Sequence, residues 1–274
     1  MSPFRFALLL TIWAWLATGL WSLIGLFVKR TNERFLSIAL GFSAGVMIYV
    51  SFVEILQKWF EGLTEWYGNV AWGWLTLAGF FWGILLIWII DYIIPKIMNP
   101  HEIRTVEELQ SQTSDDFEET AKKQKLLSMG IVTALAIGLH NFPEWFATFI
   151  AALEDPQIWV AIAVAIAIHN IPEWIAASIP IYYATGSRIK AFRYSFLSGL
   201  AEPIWALIWY FFILQRMTPS LMGMIFAGVA GIMVFISLDE LLPTAQKYGE
   251  PHLAIYGLIV GMAVMAVSLQ LFVV

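Results

Sequence analysis

The sequence predicts an all-α integral membrane protein in which eight transmembrane helices form one bundle. Of its 274 residues, 60% are hydrophobic and only 13% are charged, and the mean hydropathy is +0.75. A soluble domain carries roughly 25% charged residues. One soluble core cannot bury so many apolar side chains in a chain of this length. The apolar residues are also grouped in runs of about 20, the length that crosses a bilayer as a helix.

Eight such runs predict the spans of a single transmembrane domain that covers residues 1–274. The first run, 4–28, resembles the apolar region of a signal peptide, but it is longer and ends at Lys29 and Arg30 instead of small residues. We therefore expect a retained helix. The other seven predicted spans are 35–57, 70–94, 126–152, 157–184, 191–214, 219–242 and 252–273.

The loop charges predict the orientation. The long polar stretch 95–125 separates three predicted spans from five. If the first span enters from outside, twelve Lys and Arg residues face the cytoplasm, and only Arg5, Lys58 and Arg216 face outward. Cytoplasmic loops are enriched in Lys and Arg. We therefore expect a multi-pass protein of the cell (inner) membrane with both termini outside and loop 95–125 in the cytoplasm.

Composition also limits the chemistry. The chain has no cysteine, so disulfides and thiolate metal sites are excluded, and a metal must be bound by nitrogen and oxygen ligands. The net charge of −5 says little about partners, because the charges are concentrated in a few loops. The lipid bilayer is the expected partner, and no nucleic-acid partner is predicted.

A short polar motif occurs twice within the predicted spans. The sequence His-Asn-Phe-Pro-Glu-Trp at 140–145 recurs as His-Asn-Ile-Pro-Glu-Trp at 169–174. In each copy, His and Glu are four residues apart and lie on one helix face, with Asn beside them. Each proline removes a backbone donor and kinks its helix, which frees a carbonyl oxygen. Ionisable groups in hydrocarbon are costly, so they indicate a functional site. A further acid, Glu202, precedes Pro203 in another predicted span.

All ionisable groups in the middle of the predicted spans are acidic or imidazole. Without basic partners, such groups repel one another and favour protonation or a bound cation. Imidazole and carboxylate together suit borderline divalent metals. The alternative is that the polar groups only stabilise helix packing. The candidate metal ligands are His140, Asn141, Glu144, His169, Asn170, Glu173 and Glu202, and further pathway candidates, equally consistent with helix-end groups, are Glu54, Asp239 and Glu240.

With its doubled motif, eight predicted spans and long third loop, the chain resembles the ZIP family of metal transporters, with the closest likeness to its bacterial ZupT-type branch. The likeness covers nearly the whole chain. It implies import of zinc, iron(II) or manganese(II) into the cytoplasm, no resident cofactor, and a homodimer as the expected assembly. Supporting stretches are 40–47, 198–203, 228–233 and 237–243.

The resemblance also implies how the ligands are shared and how transport proceeds. It implies alternating access of the elevator type. Loop 95–125 lacks the His-rich cluster of many family members, so metal capture by that loop is not expected. By position, one metal would be held by His140, Glu144 and Glu173, with His169 as a further candidate, and the other by Asn141, Asn170 and Glu202, with Glu144 and Glu173 bridging.

Two other functions remain open at this point. His and carboxylate at a spacing of four residues could hold a catalytic metal in an intramembrane metalloenzyme, although no group for positioning a substrate is evident. The carboxylates could also titrate in a proton-coupled carrier of another solute. Metal-dependent uptake would distinguish a metal transporter from both.

The chain contains 14 tryptophans, several of them inside predicted spans. Trp145 and Trp174 follow the two Pro-Glu pairs, where the family that the chain resembles has glycine. Trp205 and Trp209 are four residues apart, the spacing at which small residues let helices approach. Indoles there are expected to overpack. One hypothesis is therefore that these four positions are glycine in the cell. Either a UGA codon that the host reads as glycine has been translated as tryptophan, or tryptophan has replaced glycine by engineering. The alternative is a lineage that repacked around tryptophan.

Overall fold

The structure is a computed structural model whose regular elements are all helical within the part that it describes. The described helices lie before residue 94 and after residue 187, and only isolated residues are described between these two parts. The described residues are 2–25, 33–57, 60, 69–93, 141, 145, 149, 152–153, 181–182, 185–248 and 251–272.

Eight α-helices are described, and five helical stretches are long and apolar enough to cross a membrane. These stretches are Ser37–Leu56, Gly73–Tyr92, Arg188–Arg216, Ser220–Lys247 and Pro251–Leu271. The predicted helical membrane protein is thus confirmed. The α-helices are α1 (Pro3–Gly25), α2 (Glu33–Tyr49), α3 (Asn69–Ile93), α4 (Arg188–Gly199), α5 (Ala201–Ile208), α6 (Pro219–Ile236), α7 (Leu242–Tyr248) and α8 (Pro251–Phe272).

The count of eight spans stays a prediction. Predicted spans 126–152 and 157–184, with their proline kinks, lie almost entirely outside the described residues, as does loop 95–125. The first predicted span, 4–28, corresponds to α1. Within α1, Pro3–Leu16 is an apolar helical stretch that is shorter than the five stretches able to cross a membrane.

Three of the predicted spans are not uniform α-helices. The chain changes to a π-helix at Val50–Leu56, Trp209–Ile213 and Ser237–Leu241. A short break at Leu200, whose backbone angles stay in the right-handed helical region, separates α4 from α5 within the helical stretch Arg188–Arg216. Pro203 contributes to the break because it has no amide hydrogen to continue the α-helical pattern. π-Helical turns such as these three are frequent near functional sites.

Glycine allows α2 and α8 to approach closely. Gly41 and Gly45 of α2 face α8, and Gly257 and Gly261 of α8 face α2. A Cβ atom at any of these positions would collide with a backbone carbonyl of the opposite helix. Small residues four apart bring membrane helices together in this way. Gly41 faces the carbonyl of Ala254, and Gly45 faces that of Leu258. Gly257 faces the carbonyl of Ile38, and Gly261 faces that of Phe42.

Helices α3 and α6 form a second close pair on the same principle. A Cβ atom at Gly83 would collide with the carbonyl of Gly228, and one at Gly231 with that of Phe80. At Gly79 the added atom would lie 2.8 Å from the Met224 carbonyl oxygen. The two pairs are joined, because the π-helical end of α2 packs against α6.

Helix α1 packs against α4 and α5. Aromatic contacts of α1 extend to the π-helix that follows α5, where Phe4 lies 4.2 Å from Tyr210, measured between ring centroids. The candidate ligand Glu202 lies on α5 within this group.

Candidate metal centre

Asn141 and Glu202 meet inside the protein. The side-chain nitrogen Nδ2 of Asn141 donates a hydrogen bond of 2.9 Å to Oε1 of Glu202. Asn141 is completely buried and Glu202 is 2% exposed. A carboxylate at membrane depth is costly to bury, so such a pairing indicates a specific role. Two residues from the predicted ligand set are therefore brought together by the fold.

The orientation of the Asn141 amide leaves an acceptor available. Because Nδ2 points to Glu202, the carbonyl oxygen Oδ1 is presented elsewhere, and this buried atom has no hydrogen-bond partner among the described residues. A buried acceptor without a partner costs free energy. A cation satisfies it directly, since amide and carboxylate oxygens are both metal ligands. The donor set at this point fits a divalent cation.

The break before α5 determines where Glu202 lies. Leu200 ends the helical spacing of α4, and its amide donates 3.2 Å to the carbonyl of Leu197, three residues back. Glu202 then falls in the first turn of α5. The sequence Glu-Pro thus places a carboxylate at the start of a helix inside the membrane.

Aromatic side chains lie next to the Asn141–Glu202 pair. Trp145 and Phe149 follow Asn141 at intervals of four residues, so the three share one helix face. Trp145 is 1% exposed and meets Trp209 edge to face, with ring centroids 6.4 Å apart. One turn further, Phe149 meets Tyr210 at 6.2 Å. These rings form an aromatic layer on the side of the pair nearest the start of α1.

The structure accommodates the indoles of Trp145 and Trp209 within its core, where both are buried. Trp205 is partly buried and packs against the same core. Trp174 lies outside the described residues. The coding sequence is the direct test of whether glycine belongs at these positions.

The other predicted site residues are not assembled in the described part of the chain, which contains no group of three or more His, Asp and Glu suited to a metal. Glu54 is half-buried in the π-helix at the end of α2. In the π-helix after α6, Glu240 is 7% exposed, whereas Asp239 is exposed. Outside the described residues lie His140, Glu144, His169, Asn170 and Glu173.

Sequence reasoning missed one contact near the site. The indole nitrogen Nε1 of Trp15 donates 3.1 Å to the backbone carbonyl of Phe196, just before the break. Trp15 stood out in the sequence only as one of many tryptophans within predicted spans. No local signal links it to a residue 181 positions away.

These observations define a helical membrane protein with several stretches able to cross a bilayer and a buried Asn141–Glu202 contact among them. The chain belongs to the ZIP family, because the family model described as ZIP zinc transporter matches residues 6–269. The predicted membership is confirmed. A member of this family is a transporter and not an enzyme, so the metalloenzyme alternative is excluded.

Similar proteins agree with the ZupT-type branch. The chain is 58% identical to a protein of Lysinibacillus sphaericus over 96% of both chains, and 58% identical to one of Streptococcus mutans over 97% of both. It is 54% identical to a protein of Clostridium perfringens, with 100% of this chain and 98% of that protein covered. All three relatives are named zinc transporter ZupT.

Proposed function

We propose that this protein imports divalent transition-metal cations into the cytoplasm, with zinc as its main cargo and iron(II) or manganese(II) as further cargo. The observation that carries the proposal is the buried contact between Asn141 and Glu202, which leaves an acceptor oxygen for a cation. Membership in the ZIP family and the name shared by the relatives support zinc. The metal is cargo, and no resident cofactor is needed.

The site in this proposal is binuclear. Asn141 and Glu202 contribute to one metal position through oxygen ligands, together with Asn170. Two carboxylates of the repeated motif bridge to the second position, where imidazole also binds. Their mixed nitrogen and oxygen ligands suit borderline metals. The bridging residues are Glu144 and Glu173, and the imidazoles are those of His140 and His169.

The membrane arrangement in the proposal has eight spans, with both termini outside and loop 95–125 in the cytoplasm. The distribution of Lys and Arg supports this orientation. The pathway candidates at the π-helical segments are then on opposite sides of the membrane, with Glu54 outward and the pair Asp239–Glu240 toward the cytoplasm. A homodimer is the proposed assembly.

Uptake of radioactive zinc, iron(II) and manganese(II) by proteoliposomes tests the function. The intact chain is compared with Glu144→Ala/Glu173→Ala and with His252→Ala, a control at an exposed residue near the start of α8. We expect zinc uptake by the intact chain and the control, and its loss in the double variant. A folded protein that takes up none of the three metals would contradict the proposal and favour the proton-coupled carrier.

A further inference from the structure

Trp15 of α1 contacts the segment that leads to Glu202 in two ways. Its indole N–H donates 3.1 Å to the carbonyl oxygen of Phe196. Its ring lies against the phenyl ring of the same residue, with centroids 4.5 Å apart. A hydrogen bond and a ring contact to one residue fix both the distance and the direction of the last turn of α4 relative to α1.

The carbonyl of Phe196 lies where the helical pattern of α4 ends. In a continuous α-helix the amide of Leu200 would donate to this carbonyl. That amide makes the tighter contact with Leu197, three residues back. The indole of Trp15 thus donates to a carbonyl in the turn that precedes the break. A side-chain donor of this kind stabilises a helix end in a low-dielectric environment.

The position of Glu202 depends on the path of the backbone from Phe196 through Leu200, whose angles stay helical. Glu202 is the second residue of α5, which begins at Ala201 directly after Leu200. Its carboxylate must reach Nδ2 of Asn141 to make the 2.9 Å contact. A small rotation at Leu200 would move the carboxylate away from Asn141.

We propose that Trp15 is a positioning residue for Glu202, holding the break between α4 and α5 in the geometry that brings Glu202 to Asn141. This role rests on the proposed function, because it assigns Glu202 to the metal site. Trp15 itself does not touch the cargo. Its effect is transmitted through the backbone between Phe196 and Glu202.

The test replaces Trp15 with Phe, which retains a ring against Phe196 but has no N–H donor. The matched control is Trp13→Phe in the same helix, where the indole is 47% exposed. Zinc Kd is measured on purified protein, zinc KM and maximal rate in proteoliposomes, and Tm on each variant. We expect Trp15→Phe to raise Kd and KM roughly fivefold, the effect of one net hydrogen bond, and to lower Tm modestly because the same bond stabilises the fold, whereas Trp13→Phe changes none of these values.

A double-variant comparison separates positioning from general support of the fold. If Trp15 acts through Glu202, Trp15→Phe should have no further effect on zinc affinity once Glu202→Gln is present. Equal effects in both backgrounds would overturn the proposal.

The remaining outcomes are also decisive. Equal Kd and KM for Trp15→Phe and Trp13→Phe would overturn the role of Trp15 while leaving the proposed function intact. An intact chain that neither binds nor takes up zinc would overturn the proposed function, and the role of Trp15 with it.

Discussion

The side-chain nitrogen of Asn141 lies 2.9 Å from a carboxylate oxygen of Glu202, although the two residues are 61 positions apart in the chain. Both are buried, and Glu202 lies in the stretch Arg188–Arg216, which is long and apolar enough to cross a membrane. Among the described residues, the amide oxygen Oδ1 of Asn141 has no hydrogen-bond partner. In the proposed site, this oxygen is a ligand of the cation.

Removing the charge at Glu202 should abolish efficient transport. In Glu202→Gln the side chain keeps its size and can still accept from Asn141, but it loses the negative charge that attracts a cation. We expect zinc uptake to fall roughly tenfold or more, a loss of the size seen when groups that support a metal are replaced. Initial rates in proteoliposomes give the measurement. Unchanged uptake would remove Glu202 from the proposed site.

The amide of Asn141 should matter for a different reason. Asn141→Ala takes away both the donor to Glu202 and the free oxygen. We expect the variant to lose zinc affinity and to be destabilised by about 1–3 kcal/mol, because a buried carboxylate loses a partner. Calorimetric zinc titration and Tm of the purified protein give the two values. A variant with normal zinc affinity would contradict the ligand role.

An added methyl group should disturb the close packing of α3 on α6 at Gly231 but not at Gly228. A Cβ atom at Gly231 would collide with the Phe80 carbonyl, whereas one at Gly228 would lie 3.5 Å from the nearest oxygen, an ordinary contact. We expect Gly231→Ala to cost about 1–3 kcal/mol of stability through overpacking. Gly228→Ala, in the same helix, serves as the control and should leave Tm nearly unchanged. Equal melting temperatures for the two variants would contradict this interface.

Replacing Trp145 should change the rate of transport. The indole lies one turn from Asn141 and fills the aromatic layer with Trp209. We expect Trp145→Gly to raise zinc uptake, because the space next to the site becomes wider. Trp13→Gly, at an exposed indole, is the matched control. Uptake is compared per amount of folded protein, because the loss of a buried indole also lowers stability. Lower or equal uptake by folded Trp145→Gly would contradict a restriction of the pathway by the layer.

The origin of the tryptophans is tested by the gene itself. UGG codons at positions 145, 174, 205 and 209 would exclude a UGA codon that the host reads as glycine. UGA codons there would support glycine as the residue made in the cell.

The orientation can be measured with single cysteines, because the chain has none of its own. We expect Ser2→Cys to react with a membrane-impermeant maleimide that is added to whole cells. We expect Ser114→Cys in loop 95–125 to react only after the cells are permeabilised. The cysteine-free parent controls for labelling of other groups. Labelling of Ser114→Cys in intact cells would reverse the proposed orientation.

The membrane class, the family and the identity of the polar candidates could be predicted from the sequence. Composition and run length are properties of consecutive residues, and an apolar run of about 20 residues is suited to a bilayer in any arrangement of the helices. The acid before Pro203 was recognisable for the same reason, because an ionisable group in an apolar run is rare.

Only the tertiary structure decided which candidates meet. Asn141 contacts Glu202, and Trp15 contacts Phe196, because separate helices cross at those points. Such contacts depend on helix crossing and on local breaks, as at Leu200. Hydropathy does not encode the rotation of a helix about its axis. The close approaches at Gly41 and Gly231 follow the same rule: a glycine permits contact with another backbone, but the partner is chosen by the packing of the whole bundle.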